Sequence, residues 1–181
     1  MVLALASCGG DGKSDEEEIV EAIDYAFVST DPDACTEQMT PAFSEQLFRD
    51  DAADAVESCE QNARAEESEN DPVEVSNVVV DGSKATADVA FADAQAFSVA
   101  LIEDDGDWKL DEVVGFVDFD RSRWMDEQRE FFEDGEPWPA RVTDCILDAY
   151  RGMSQTELEE MLLGGSPDPE TEIISRCSST G

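Results

Sequence analysis

The apolar residues of this chain change their period twice, and each change bounds the fold. Ile19, Ile23 and Phe27, with Val20 and Ala26 beside them, recur at the spacing of an amphipathic helix. From Val73 the period is two. Val73, Val75 and Val79 alternate with Glu74 and Ser76, with Asn77 at an inward position. Ala85, Ala87, Val89 and Phe91 alternate with Lys84, Thr86 and Asp88. Phe97, Val99 and Leu101 form a third run, and Trp108, Leu110, Val114 and Phe116 a fourth. Asp81-Gly82 and Asp104-Asp105-Gly106-Asp107 are turn signals between them. Four strands joined by short turns predict an antiparallel meander with one buried face. After Phe116 the spacing is helical again.

Helix boundaries are marked on both sides of the sheet. Ser14-Asp15-Glu16-Glu17 has the form of a capping box, and Ser29-Thr30-Asp31-Pro32 ends the first helix. A second, shorter helix carries Cys35 and Met39, and Thr40-Pro41 starts another turn with Phe43, Leu47 and Phe48 inward. A third helix runs from about Asp51 through Cys59 to Glu66, and an acidic linker closes at Pro72. Beyond the sheet, one helix runs from Arg123 to Phe132, and another carries Val142, Cys145, Ile146, Ala149 and Tyr150 on one stripe. Ser154-Gln155-Thr156-Glu157 opens a helix that Gly164-Gly165 stops. Ser166-Pro167-Asp168-Pro169 starts the last, with Ile173, Ile174 and Cys177. The predicted class is α+β: three N-terminal helices, a four-stranded antiparallel curved sheet, and a small disulfide-clamped helical region. The predicted division is 1–13, a leader and tether; 14–117, the helix-and-sheet domain; and 118–181, a helical extension.

The five cysteines divide unequally. Leu5-Ala6-Ser7-Cys8-Gly9-Gly10 has the pattern of a bacterial lipobox, in which cleavage precedes a cysteine that then carries diacylglycerol. A full leader has a basic n-region and about 7–15 apolar residues. Only seven residues precede Cys8 and none is basic, so the expectation places the leader's start upstream of Met1. One acylated cysteine holds a chain on a membrane surface without spanning it. The remaining cysteines, Cys35, Cys59, Cys145 and Cys177, are even in number, which in an exported protein predicts two disulfides. Of three connectivities, the local one, Cys35–Cys59 with Cys145–Cys177, keeps each bridge in one half and is the expectation. Each such loop is worth about 3 kcal/mol in the chain-entropy model.

Charge and composition exclude much chemistry. The net charge of −35 repels DNA, RNA and anionic headgroups, so no nucleic-acid partner is expected. Six of the eleven basic residues, Arg121, Arg123, Arg129, Arg141, Arg151 and Arg176, lie in the last third. The chain has no histidine, hence no Ser-His-Asp triad, no Cys-His dyad and no imidazole metal ligand. Oxidised cysteines remove a thiolate zinc site as well. Asp104, Asp105 and Asp107 share a turn, and Asp118 and Asp120 follow a strand, but an EF-hand starting at Asp118 would place Arg129 where position twelve needs Glu. No metal and no cofactor are expected.

Three helices and a meander ending in Gly106-Asp107-Trp108-Lys109-Leu110 resemble a nuclear transport factor 2-like domain over residues 14–117. The whole resembles small actinobacterial lipoproteins that place such a domain after a lipobox, and Cys145–Cys177 resembles a helical two-cysteine module of exported proteins. The resemblance implies a sheet curled around the first helix into a cone, often with a pocket, here lined by Ile23, Phe27, Val89, Phe97, Leu101, Trp108 and Leu110. It also implies that some relatives are isomerases or dehydratases. Such a site needs a carboxylate base and a donor such as a tyrosine hydroxyl. Tyr25 is the only tyrosine of the cone, with Asp24 and Asp88 as conceivable carboxylates. The plainer reading packs Tyr25 at a core edge and points Asp88 at solvent.

Trp124, Phe131, Phe132 and Trp138 either anchor a partner or seal the C-terminal helices onto the open side of the sheet; the sheet's need for cover favours the seal. The reading is a lipid-anchored, extracytoplasmic binding or partner-docking protein whose partner is a small apolar ligand or an envelope protein. The alternatives are an isomerase- or lyase-type enzyme using Tyr25 and a carboxylate, and a structural envelope-assembly role.

Overall fold

The computed structural model describes residues 13–65, 73–91, 95–134, 138–164 and 169–179. The lipobox and Cys8, the linker before Pro72 and the Gly165-to-Asp168 segment lie outside them. Helices α1 (Asp15–Val28), α2 (Ala34–Glu37), α3 (Pro41–Phe48) and α4 (Ala52–Ala65) precede strands β1 (Glu74–Asp81), β2 (Lys84–Ala90), β3 (Phe97–Asp104) and β4 (Asp107–Phe116). Helices α5 (Arg121–Asp134), α6 (Ala140–Gly152), α7 (Gln155–Leu162) and α8 (Pro169–Ser179) follow. The class is α+β with one antiparallel sheet in the order β1-β2-β3-β4. No helix among the described residues is long and apolar enough to cross a membrane.

Among the described residues, four helices and not three precede the sheet. The stretch expected to stay helical through Met39 leaves the helix after Glu37 and pairs with β4. Leu110 N donates to Gln38 O and Thr40 N to Leu110 O, both at 2.8 Å. These bonds cover part of the β4 edge, and an unpaired edge is a liability. Thr40 then caps α3, accepting from Phe43 N at 3.2 Å, with Pro41 in its first turn, where a missing N–H costs nothing. Both capping boxes form, Ser14 with Glu17 and Ser154 with Glu157.

The strands depart from strict alternation at three bulges. In β1 the register shifts between Ser76 and Val79, with Asn77 at φ 52°. A bulge adds one residue and reverses the facing of all that follow. Val78 therefore packs against the core, while Val79, expected inward, is 62 % exposed. In β4 the register skips Asp111 and Val114. Val113 packs inward instead, and Val114 is 52 % exposed. The β3–β4 turn needs no correction. Asp105 and Gly106 both have positive φ, 55° and 94°, as a two-residue hairpin loop matched to strand twist requires.

Two apolar clusters form. The first joins Ile19 and Ile23 of α1, Phe43 of α3 and Val89, Val99, Leu101 and Leu110 of the sheet. The second is helical, with Trp124, Phe132, Ile146, Tyr150, Leu158, Met161 and Ile173, all buried. Each carries one disulfide, Cys35–Cys59 across α2 and α4 and Cys145–Cys177 across α6 and α8. Paired cysteines fit an oxidising, extracytoplasmic compartment.

The aromatic segment is split. Trp124 and Phe132 lie in the helical core, and Phe131 is 69 % exposed. Rings step from Phe116 through Phe119 and Trp124 to Tyr150, at centroid spacings of 5.2, 6.3 and 5.1 Å. The expected seal onto the sheet is thus a contact with the end of β4. Phe116 is the one strand residue in that cluster among the described residues.

Polar groups join the two halves. The Gln46 side chain of α3 accepts from Val113 N at 2.7 Å and donates to Val113 O at 2.9 Å and Leu163 O at 2.8 Å. One amide thereby satisfies the edge of β4 and the carbonyl end of α7, where helices leave acceptors unpaired. Arg49 pairs with Glu170 of α8, which also accepts from Tyr150 Oη at 3.3 Å. Gly164 backs onto this junction at φ 83°; a Cβ there would stand 3.1 Å from Gln46 O.

Candidate functional site

The seven residues expected to line an interior pocket belong to the first apolar cluster. Ile23, Val89, Leu101, Trp108 and Leu110 are buried against one another. Phe27 and Phe97 are partly buried, and the Phe27 ring meets Phe43, Phe91 and Phe97 edge-on at 5.5–6.2 Å. These are packing geometries that stabilise a core.

Tyr25, on α1, is half-buried beside that core. Its hydroxyl donates to Asp31 Oδ2 at 3.2 Å, and Asp31 Oδ1 accepts from Asp33 N. Desolvation, the bond to Asp31 and the charges of Asp31, Glu37 and Asp33 hold the Tyr25 phenol above its usual range. A general acid or base works best with a pKa near the operating pH; this one is moved away from it. Asp88 sits between buried Ala87 and Val89 and so faces away from the core. Ser98 and Asn77 donate to its carboxylate and hold it below the usual range, which makes it a weaker base. No hydrogen bond joins Tyr25 to Asp88 among the described residues; each is engaged elsewhere. Asp24 is exposed on α1.

Two surface depressions collect polar groups. The first, of ≈ 370 Å³, lies between α1 and the β3–β4 hairpin, lined by Lys13, Glu18, Glu21, Tyr25, Gln38, Asp107 and Trp108 among others. Lys13 pairs with Glu21, and that bond, with Glu18 and Glu17 nearby, raises its pKa. The second, of ≈ 640 Å³, lies between α3, β4 and α7. Gln46, Val113, Val114 and Leu163 line it together with the carboxylate-bearing Asp111, Glu112 and Glu160.

Sequence reasoning placed Tyr25 and Trp108 correctly on their elements but missed the second depression. The residues that make it are ordinary by type: a glutamine on a short helix and two bulged strand positions. The one readable signal was Gly164, whose small size permits the close approach of α3.

The acidic turn residues have other partners. Asp104 pairs with Lys109 at 3.2 Å, and Asp120 Oδ1 caps α5, accepting from Ser122 N and Arg123 N. No group of three or more Cys, Asp or Glu among the described residues is placed to hold a metal ion. No family model, curated protein or solved structure matches this chain.

Proposed function

We propose that this chain is an extracytoplasmic docking protein held on the membrane surface by lipid on Cys8, with a nuclear transport factor 2-like cone at residues 14–117. One observation carries the reading: Cys35, Cys59, Cys145 and Cys177 are closed in two bridges, which sets Cys8 apart from the paired sulfurs. A lone cysteine after Leu-Ala-Ser and before Gly-Gly is where a diacylglyceryl group belongs. Docking is preferred to catalysis because the residues nearest a reactive site are spent. The Tyr25 hydroxyl already donates to Asp31, and Asp88 already accepts from Ser98 and Asn77. The apolar side chains of the interior pack on one another, which leaves the outer surface for recognition.

The test is fractionation of a lipoprotein-processing bacterium producing the chain with a lipoprotein signal sequence joined ahead of Cys8. Wild-type protein is expected in the membrane fraction and Cys8→Ser in the soluble one. Equal partitioning of the two would end the anchored reading.

A further inference from the structure

We infer that the groove between α3, β4 and α7 docks a basic, amphipathic segment of a partner protein. Its cationic side chains would meet Asp111, Glu112 and Glu160, and its apolar side chains Val114 and Leu163. This deepens the docking reading above and rests on it.

The geometry of β4 is the first argument. Its two bulges skip Asp111 and Val114 in the pairing with β3, and both skipped residues line the groove. Bulges re-aim side chains, and the two here fall within the four consecutive residues, Asp111 to Val114, that line the groove. Val114 is left 52 % exposed although β-branched apolar residues are well suited to cover.

The second argument concerns the backbone. The edge of β4 is closed on both sides of Asp111. Leu110 pairs with Gln38 and Thr40, and both Val113 main-chain groups are bonded to Gln46. An incoming strand therefore has little free edge to extend, and recognition falls to side chains.

Charge selects the occupant. No hydrogen bond or ion pair engages the carboxylates of Asp111, Glu112 or Glu160 among the described residues, and no Lys or Arg lines the groove there. A second copy would bring −35 against −35, and anionic lipid or nucleic acid would be repelled in the same way. A segment with alternating basic and apolar residues satisfies both the carboxylates and Val114.

The experiment titrates a labelled peptide of alternating leucine and lysine into the full chain, by fluorescence anisotropy at low and high salt. A leucine–glutamate peptide serves as control. The triple variant Asp111→Lys, Glu112→Lys, Glu160→Lys is compared with Asp24→Lys, Glu130→Lys, Asp144→Lys, which changes net charge equally at exposed positions outside the groove. Groove reversal should weaken binding about tenfold or more, and the distant reversal less than about threefold, as expected of exposed pairs. Val114→Ser, which leaves every charge in place, should weaken it about threefold and guards against a folding artefact in the triple variant. Equal losses in both triple variants, or no binding of the basic peptide, would overturn the inference. So would a concentration-dependent dimer abolished by groove reversal, because the occupant would then be a second copy. Processing at Cys8 is read separately, so the groove can fail while the anchored reading stands.

Discussion

Each half of the chain has a buried apolar cluster and one disulfide, but the bridges have different work to do. Cys35–Cys59 joins two helices beside a sheet whose strands pair along their length, and Ile19, Ile23, Phe43 and Leu110 are buried around it. Cys145–Cys177 joins α6 to α8, in a unit without a sheet of its own. Short helices are marginal alone and depend on tertiary packing. The helical half leans on its bridge, on Tyr150 at its centre and on the Gln46 and Arg49 side chains that reach it from α3. The lesson is that similar crosslinks do different amounts of structural work when the cores around them differ.

The comparison breaks most readily at the sulfurs. The bridges span 24 and 32 residues, so each removes about 3 to 4 kcal/mol of unfolded-state entropy. Replacing Cys145 and Cys177 by serine should strip hydrogen-exchange protection from α6 and α8 while β2 and β3 keep theirs. Replacing Cys35 and Cys59 should lower the melting temperature by a similar free energy without selective loss in the sheet. If both pairs of substitutions melt the whole chain in a single step, the halves are one cooperative unit.

A smaller effect is expected at the junction. Gln46→Leu leaves Val113 N–H, Val113 O and Leu163 O without their side-chain partner, at about 1 kcal/mol for part-buried groups that water can reach. Denaturant unfolding should show that loss, and exchange in α7 should rise more than exchange in α1. Equal rises would mean that Gln46 braces the sheet alone.

Acid sharpens the comparison further. Each half has a capping box among the described residues, and in each the serine's backbone N–H and hydroxyl hold the glutamate, Glu17 or Glu157, below its usual pKa. A carboxylate depressed in the folded state contributes stability above its unfolded pKa and loses it as pH falls through the folded value. The short α7 should therefore fray before α1 as the pH drops below about 4, the ordinary carboxylate range. Glu157→Gln should remove that acid-side loss in α7. Carboxyl titration by NMR checks it; an ordinary Glu157 midpoint would contradict the depressed value.

Local chemistry was readable from residue order, and its failures are instructive. Both capping boxes and the Asp105-Gly106 turn follow from residue type and spacing, and the local pairing of the four cysteines is the expected one of three connectivities. The bulges were not readable, because Val78 with Val79 and Val113 with Val114 offer two apolar neighbours and only the register decides which turns inward. Asn77 was a hint, since it tolerates the positive φ that a bulge demands. The break after Glu37 was hidden too, because pairing of Gln38 and Thr40 with Leu110 overrides a helical stripe that looked continuous through Met39. The groove arises from these same long-range choices, so its residues carry no local signature.

The most direct measurement is the intact mass of the protein taken from a membrane fraction, before and after alkylation without reductant. The account predicts a chain beginning at an acylated Cys8, lighter by the hydrogens lost in two bridges and unreactive to the alkylating agent. A chain still carrying the residues before Cys8, free of lipid and alkylated at several cysteines, would contradict it.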